Sequence, residues 1–413
     1  MRLRLADRVK AAEVERLRLV ARLAARLGTP AWLVGGSVRD ALLGCASLDL
    51  DVTVEGDPVP LAQDLAEALG GKLTVHERFG TTVIEAGEYH LDVATARRET
   101  YPGPGALPVV EPASLDDDLC RRDFTINAMA LRLDSDLDTV YDPFGGRGDL
   151  QARIIRGLHE ATFRDDPTRI IRAARYAARF GCALAAQTEC WLLSAVSSGA
   201  LATVTGTRLW QELRRLLWEE TAPEGLALLQ CWQALPALGL CPPCEGELRE
   251  LYAAAEQLDV PATAPERALA VMGLLAVDAE ALAEHFGLSA GERRVVVAAA
   301  KLTAAPPPCV FAAAPKSSTL YEALRGSPVP ALLALWTRHP ASRPALQRYL
   351  TLADLRPDVS GEDLQSLGFA PSAGFTLALQ AALRVKLDDH ANREKQLAAA
   401  REALIQWQRQ RGL

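Results

Sequence analysis

The chain has 413 residues, 49% of them apolar and 23% charged, which is the make-up of an ordinary globular protein with room for two or more domains and which excludes a disordered or fibrous one. Its formal net charge of -7 does not favour a nucleic-acid partner taken over the whole chain, since phosphate contacts need Lys and Arg. The basic charge is regional, however: residues 151–180 carry seven Arg against Glu160, Asp165 and Asp166, and residues 371–413 carry seven Lys or Arg against four acids.

The N-terminal segment, MRLRLADRVKAAEVERLRLVARLAARLG, is charged throughout with helical apolar spacing. It reads as an amphipathic helix rather than a signal peptide, and no window approaches a membrane span, so a cytoplasmic protein is expected.

Ala31-Trp32-Leu33-Val34 then forms a short apolar run with strand propensity, followed by Gly35-Gly36. Paired glycines free backbone amides and leave no side chain in the way of a phosphate, and Arg39 follows as a cation for the same anion. From Leu48 to Val54 strict alternation puts Asp49 and Asp51 on one face of a strand and Leu48, Leu50 and Val52 on the other. Two carboxylates that close together repel unless a cation joins them, and a pair of Mg2+ ions fits, because hard divalent metals take carboxylate and phosphate oxygens together.

The run GGSVRDALLG…DLDVTVEG resembles the signature of the polymerase-β-like nucleotidyltransferase superfamily, in the form of its class II tRNA nucleotidyltransferase (CCA-adding enzyme)/poly(A) polymerase branch. Onward from there, 61–70 reads as a helix, and KLTVHE, TTVIEA and YHLDVATA read as strands. The resemblance makes Asp92, on the last of these, the counterpart of a third acidic residue. The Pro- and Gly-rich stretch from Arg97 to Leu119 is expected to hold no regular element. By position it matches a flexible loop that, in the family, helps switch between nucleotides, and its presence disfavours an enzyme adding only CC.

Residues 121–130, RRDFTINAMA, match a family motif in full. Arg122 would meet the triphosphate, with Asp123 and Asn127 at the ribose edge. Tyr141-Asp142-Pro143-Phe144-Gly145-Gly146 reads as a structural turn.

The next chemical stretch is Arg164 to Tyr176. Asp166 before Pro167 is a sound helix N-cap, and Arg169, Arg172 and Arg175 fall three apart on one helix face, a costly row unless anions face it. Asp165-Asp166-Pro167-Thr168-Arg169 resembles the family's EDxxR motif with Asp in place of Glu. The resemblance makes Asp166 and Arg169 the readers of the C or A base edge, and Arg172 and Arg175 contacts to phosphate or along the helix face. Arg208 and Glu212, one helical turn apart, match a smaller motif that braces the neighbouring helices.

From Ala183 onward the 3.6-residue period dominates, residues 302–318 read as a linker or long loop, and 359–374 resemble an element near the C-terminus of bacterial members. No internal repeat and no His-Asp pair of a phosphohydrolase is visible. Eight scattered Cys, mostly in apolar helical contexts, fit buried reduced thiols, and the Cys241–Cys244 pair lacks the partners a zinc site needs.

The expected fold is α+β: a polymerase-β-like nucleotidyltransferase head with a mixed sheet, followed by an elongated all-α neck, body and tail. The expected domains are residues 1–150 (catalytic head), 151–245 (neck with base recognition and RNA binding) and 246–413 (body and tail, tRNA-binding). The resemblance implies template-independent, Mg2+-dependent transfer from CTP and ATP to the 3′ end of tRNA, held by its acceptor stem, with release of pyrophosphate. Addition of A alone beside a separate CC-adding enzyme, poly(A) synthesis, and a catalytically silent RNA-binding protein are the alternatives.

Overall fold

The computed structural model describes residues 11–44, 49–76, 80–87, 89–133, 137, 139–241, 246–258 and 262–411, without the side chains of Asp49, Tyr89, Ala255 and Glu256. It divides into two compact units, one ending at Leu238 and the other starting at Gly239. The boundary near residue 150 expected from the sequence therefore falls inside the first unit.

The first unit opens with α1 (Ala11–Leu27), whose buried side chains Val14, Leu17, Val20, Ala21 and Ala24 recur at the helical period that the sequence announces. The first ten residues of the expected helix lie outside the described residues. Then follow β1 (Ala31–Val34), α2 (Gly36–Leu43), β2 (Asp49–Val54), α3 (Val59–Leu69), β3 (Lys72–His76), β4 (Thr81–Ala86) and β5 (Tyr89–Thr95). The chain continues with β6 (Arg97–Thr100), β7 (Val109–Pro112), α4 (Leu115–Cys120), a 3-10 turn at Thr125–Asn127, β8 (Ala130–Arg132) and β9 (Val140–Tyr141).

Seven of these strands form one mixed sheet in the order β3-β4-β5-β2-β1-β8-β9. Its one parallel pair is β2 with β5, and the other neighbours run antiparallel. Leu50, Val52 and Val54 of β2 point into a core shared with Leu61 and Leu65 of α3, Leu17 and Val20 of α1, Ile84, Val93 and Leu131. Alternation along β2 and β5 thus leaves their polar positions on the opposite face.

The Arg97–Leu119 stretch is more regular than its composition announces. β6 and β7 pair antiparallel with Arg97 opposite Pro112, and Ser114 opens α4 with a capping box to Asp117. Pro102, Pro104 and Pro108 fall between the strands, and Pro112 ends a two-stranded ribbon, where a missing N–H costs little.

The remainder of the unit is helical: α5 (Gly146–Ala152), α6 (Thr162–Asp165), α7 (Thr168–Phe180), α8 (Ala186–Ser197), α9 (Gly206–Leu217) and α10 (Ala222–Cys231), with a short parallel pair, β10 (Ile154–Ile155) and β11 (Ala183–Leu184). The turn before α5 is built as expected, Asp142 accepting from the amides of Gly146 and Arg147. The second unit is helical among its described residues, from Glu247–Gln257 to Arg393–Gln410. Its stretch 302–318 holds the end of one helix, a 3-10 turn at Pro308–Phe311 and the start of another.

The thiols differ from expectation. Cys120, Cys190, Cys231 and Cys241 are free and exposed, and Cys182 and Cys309 are free and half-buried, because they sit at helix ends and on outer helix faces rather than in the core stripe. Cys45 and Cys244 lie outside the described residues.

Candidate functional site

The polar edge of the sheet faces a cleft of about 360 Å³ lined by Gly36, Arg39 and Asp51 from the head, Glu99 and Tyr101 from β6 and its turn, Arg121, Arg122, Asp123 and Asn127, and side chains of α7 and α9. Of the residues expected from the sequence, Gly36, Arg39, Asp51, Arg122, Asp123, Asn127, Asp166, Arg169 and Arg172 therefore meet in one place, and Gly35, Asp92 and Arg175 do not line it.

Asp51 and Asp92 are register partners on the parallel pair β2 and β5, so their Cα atoms are neighbours across strands about 4.8 Å apart. Asp51 lines the cleft and its amide is within 3.3 Å of Ser37 Oγ. Asp92 is exposed. Asp49 opens β2 opposite His90, but its side chain lies outside the described residues. Among the described residues no three acids, His or Cys converge as a finished cation site. Asp51 in the cleft lining and Asp92 beside it on the neighbouring strand are nonetheless hard oxygen donors of the sort a divalent metal takes.

Gly35 holds φ of 70°, and a Cβ there would stand 2.3 Å from Arg122 Nη1. That glycine thus does two things: it makes the positive-φ turn into α2 and lets a guanidinium lie against the backbone. Arg122 is fixed in turn by Asp118, which also takes Arg121. Burial would raise the Asp118 carboxyl, but the two guanidiniums hold it below its ordinary range. Arg39 is buried at 4% exposure, its Nη1 donating to Asn127 Oδ1 at 2.5 Å and its Nε to Asp40 Oδ1 at 2.9 Å.

Asp123 is saturated. Its Oδ1 accepts from the Phe124 amide and from Asn127 Nδ2, and its Oδ2 takes Nε and Nη2 of Arg172 at 2.8 and 2.6 Å. Burial alone would push this carboxyl up, yet Arg172, Asn127 and Arg169 hold it well below the usual carboxylate range. The geometry thus makes Asp123 and Asn127 a buried bridge between Arg39 and Arg172.

On α7 the three Arg are spaced as expected but have different neighbours. Arg169 lines the cleft, with Nη2 donating to the Arg121 carbonyl at 2.7 Å and Nη1 to Thr162 Oγ1 at 3.2 Å. Arg172 lies between Asp123 and Glu212. Arg175 is outside the cleft lining, near Glu219 and Glu212 and 4.5 Å from the Tyr176 ring centroid. The anions for two members of the row are thus supplied by Asp123, by Glu212 of the neighbouring helix and by Glu219 beyond its end.

Asp166 Oδ1 accepts from the Thr168 amide and hydroxyl and from Arg208 Nη2 at 3.1 Å, while Pro167 and not Asp166 stands at the N-cap position of α7, one residue later than the sequence suggested. Arg208 Nη1 donates to the Gly105 carbonyl at 2.7 Å, so α9 braces both the β6–β7 turn and α7. Asp165 ends α6 and lies outside the cleft lining, its Oδ2 3.9 Å from His159 Nδ1.

Glu99, Tyr101 and Arg121 line the cleft without having been singled out from the sequence. Arg121 pairs with Glu99, which also accepts from the Tyr101 hydroxyl, and burial together with that carboxylate raises the Tyr101 pKa.

Residues 31–156 match the Poly A polymerase head domain family. An A-adding tRNA nucleotidyltransferase of Halalkalibacterium halodurans is 35% identical over 377 residues, 87% of this chain and 85% of that protein. An A-adding tRNA nucleotidyltransferase of Aquifex aeolicus is 46% identical over 206 residues, half of this chain and 25% of that longer protein. The Thermotoga maritima CCA-adding enzyme complexed with tRNA is similar in fold, with a TM-score of 0.77 and 27% identity, over 97% of each chain.

Proposed function

This chain belongs to the tRNA nucleotidyltransferase/poly(A) polymerase family, and on that premise we propose that it transfers nucleotides from CTP and ATP to the 3′ end of tRNA, without a template and with release of pyrophosphate. The observation that carries the reading is the cleft in which Asp51, Arg39, Arg122, Asp166 and Arg169 converge.

Asp49 and Asp51 would hold Mg2+, with Asp92 beside them as the third acid, and the cation would there supply Lewis-acid activation of an attacking hydroxyl and charge stabilisation for the leaving oxygen of an in-line displacement. Gly35 and Gly36 let the polyphosphate approach the backbone at the start of α2, and Arg39 and Arg122 neutralise it. Asp123 and Asn127 set the positions of Arg39 and Arg172 and close the ribose side of the cleft.

Asp166 and Arg169 face the base. The side-chain hydrogen bonds described for Asp166 all fall on Oδ1, and Oδ2 is the acceptor for an exocyclic amino group. C and A both carry such a group beside a ring nitrogen that Arg169 can donate to, whereas U does not. Arg175 acts along the helix face, holding α7 against α9 and the residues after it. Residues 1–150 form the catalytic head, 151–245 the base-reading neck and 246–413 the tRNA-holding body, which takes the acceptor stem by backbone and shape. The cytoplasm is the compartment such a substrate requires. No helix among the described residues is long and apolar enough to cross a membrane.

The test is single-turnover extension of three tRNA transcripts, ending before CCA, after C and after CC, with CTP, ATP or both. Extension of all three to a common CCA end is expected. Loss of all incorporation in the presence of Mg2+ would overturn the reading and leave an RNA-binding protein. A second reading, addition of the terminal A alone beside a separate CC-adding enzyme, is favoured by the name of the relative aligned over 87% of this chain. Extension of only the CC-ended transcript, by one A, would establish it.

A further inference from the structure

Arg39 is gripped from two directions. In its own plane, Asp40 Oδ1 lies 2.9 Å from Nε and 2.8 Å from Nη2, and Nη1 donates to Asn127. Against it stand two rings of α7, Tyr176 and Phe180, whose centroids lie 5.1 and 4.8 Å from the Arg39 Cζ. These two rings stack on each other, centroids 6.0 Å apart and 18° from parallel. Tyr176 is buried and further fixed by Phe124, edge-on at 6.1 Å, and by Arg172, which donates to its hydroxyl at 3.1 Å.

A guanidinium has five N–H groups in a rigid plane. With Nε taken by Asp40 and Nη1 and Nη2 each facing one acceptor among the described residues, both terminal nitrogens keep a second N–H. An aromatic face fixes the tilt of that plane while offering no acceptor that would compete for those N–H groups, and attracts the cation by about 0.5–2 kcal/mol. The rings sit on the helix that also carries Arg169 and follows Asp166.

We propose that Tyr176 and Phe180 are positioning residues for nucleotide binding: they hold Arg39 flat with one N–H of each terminal nitrogen free for the polyphosphate, and so tie the phosphate grip to the helix that carries the base reader. The proposal rests on the reading of Arg39 as a polyphosphate ligand. It assigns to an aromatic pair outside the expected motif residues a role felt only through the charge of the ligand.

The test is a double-mutant cycle on equilibrium binding of ATP, with adenosine as the uncharged control, in the full-length protein with Mg2+. Phe180→Leu should weaken ATP about three- to tenfold and leave adenosine unchanged, and in an Arg39→Gln background it should add no further loss. Phe180→Tyr and Tyr176→Phe keep the ring faces and should retain most ATP affinity, with melting curves close to the parent. Equal loss of ATP and adenosine, or full additivity with Arg39→Gln, would overturn the proposal in favour of a merely structural pair. Unchanged ATP binding in Phe180→Leu would overturn it as well. If ATP binding behaves as expected while tRNA extension is absent, the phosphate grip stands and the transferase reading fails.

Discussion

Arg208 donates to Asp166 Oδ1 at 3.1 Å with one terminal nitrogen while the other donates to the Gly105 carbonyl at 2.7 Å. A side chain of α9 thus joins Thr168 in orienting the acid proposed to read the base and pins the turn of the β6–β7 hairpin. Arg208→Ala should leave Asp166 held by Thr168 alone and less firmly oriented. We expect misincorporation of UTP or GTP to rise about tenfold relative to the cognate nucleotide, since one lost orienting hydrogen bond to a charged group is worth about 1.5 kcal/mol. Competition assays with mixed nucleotides measure this. A fall in rate with unchanged selectivity would show that Arg208 only braces the hairpin.

Asp51→Ala should reduce incorporation by several orders of magnitude, because it removes an acid from the proposed metal site. tRNA affinity, read by filter binding, should change little. Asp92→Ala should lower incorporation less severely, and its defect should be partly relieved by raised Mg2+. Retained activity in Asp51→Ala would sink the metal assignment.

Gly35→Ala meets two obstacles, a φ of 70° and the Arg122 guanidinium 2.3 Å from the new Cβ. The backbone, φ 70° with ψ -128°, lies outside the αL region and costs an L residue roughly 1–3 kcal/mol, and the displaced Arg122 should raise the KM for both CTP and ATP with a smaller effect on kcat. Gly44→Ala also meets a positive φ, 75° in the milder αL region, but has no atom within 4 Å of the new Cβ. It should lose stability without that rise in KM, which separates the two effects.

Asp123 gives a pH dependence of defined sign. Its folded pKa lies well below its ordinary value of 3.8. The native state therefore binds fewer protons than the unfolded state, so the stabilisation is complete above about pH 4 to 5 and drains away as pH falls through and below 3.8. Asp123→Asn, which leaves Arg172 without its principal partner, should cost about 3 kcal/mol near neutrality. Urea unfolding from pH 6 down to pH 3 should show the gap between the two proteins narrowing toward the acid end. A gap constant with pH would mean that the Asp123 charge is not what stabilises the fold.

Much of the cleft was legible in the sequence because its residues come in short local runs. Gly35, Gly36 and Arg39 occupy one turn, Arg122, Asp123 and Asn127 another, and Asp166 and Arg169 a third. Strand period and glycine placement suffice for the β1–α2–β2 unit. What local runs cannot show is who answers each charge. The row of Arg on α7 looked like a surface waiting for phosphate, yet Glu212 and Glu219 from α9 and the residues after it, far off in sequence, face two of its members. The β6–β7 hairpin was hidden for another reason. Proline content describes its turn, while pairing across the turn depends on four residues at either end. The thiols misled because an apolar helical context does not fix which face a Cys takes.

The parallel pairing of β2 with β5 sets Asp51 beside Asp92 although two strands and a helix intervene in the chain. Side chains alternate with a period of two, so a slip of one residue between these strands would send Asp92 into the apolar layer and bring Leu91 or Val93 to the acid face. An insertion of one residue within β5 is therefore a different event from an insertion of two. The first breaks the pair of acids and buries a charge, and the second restores the alternation at the cost of a bulge. Lineages that change length here should do so in even steps, a pattern of descent that strand geometry alone imposes.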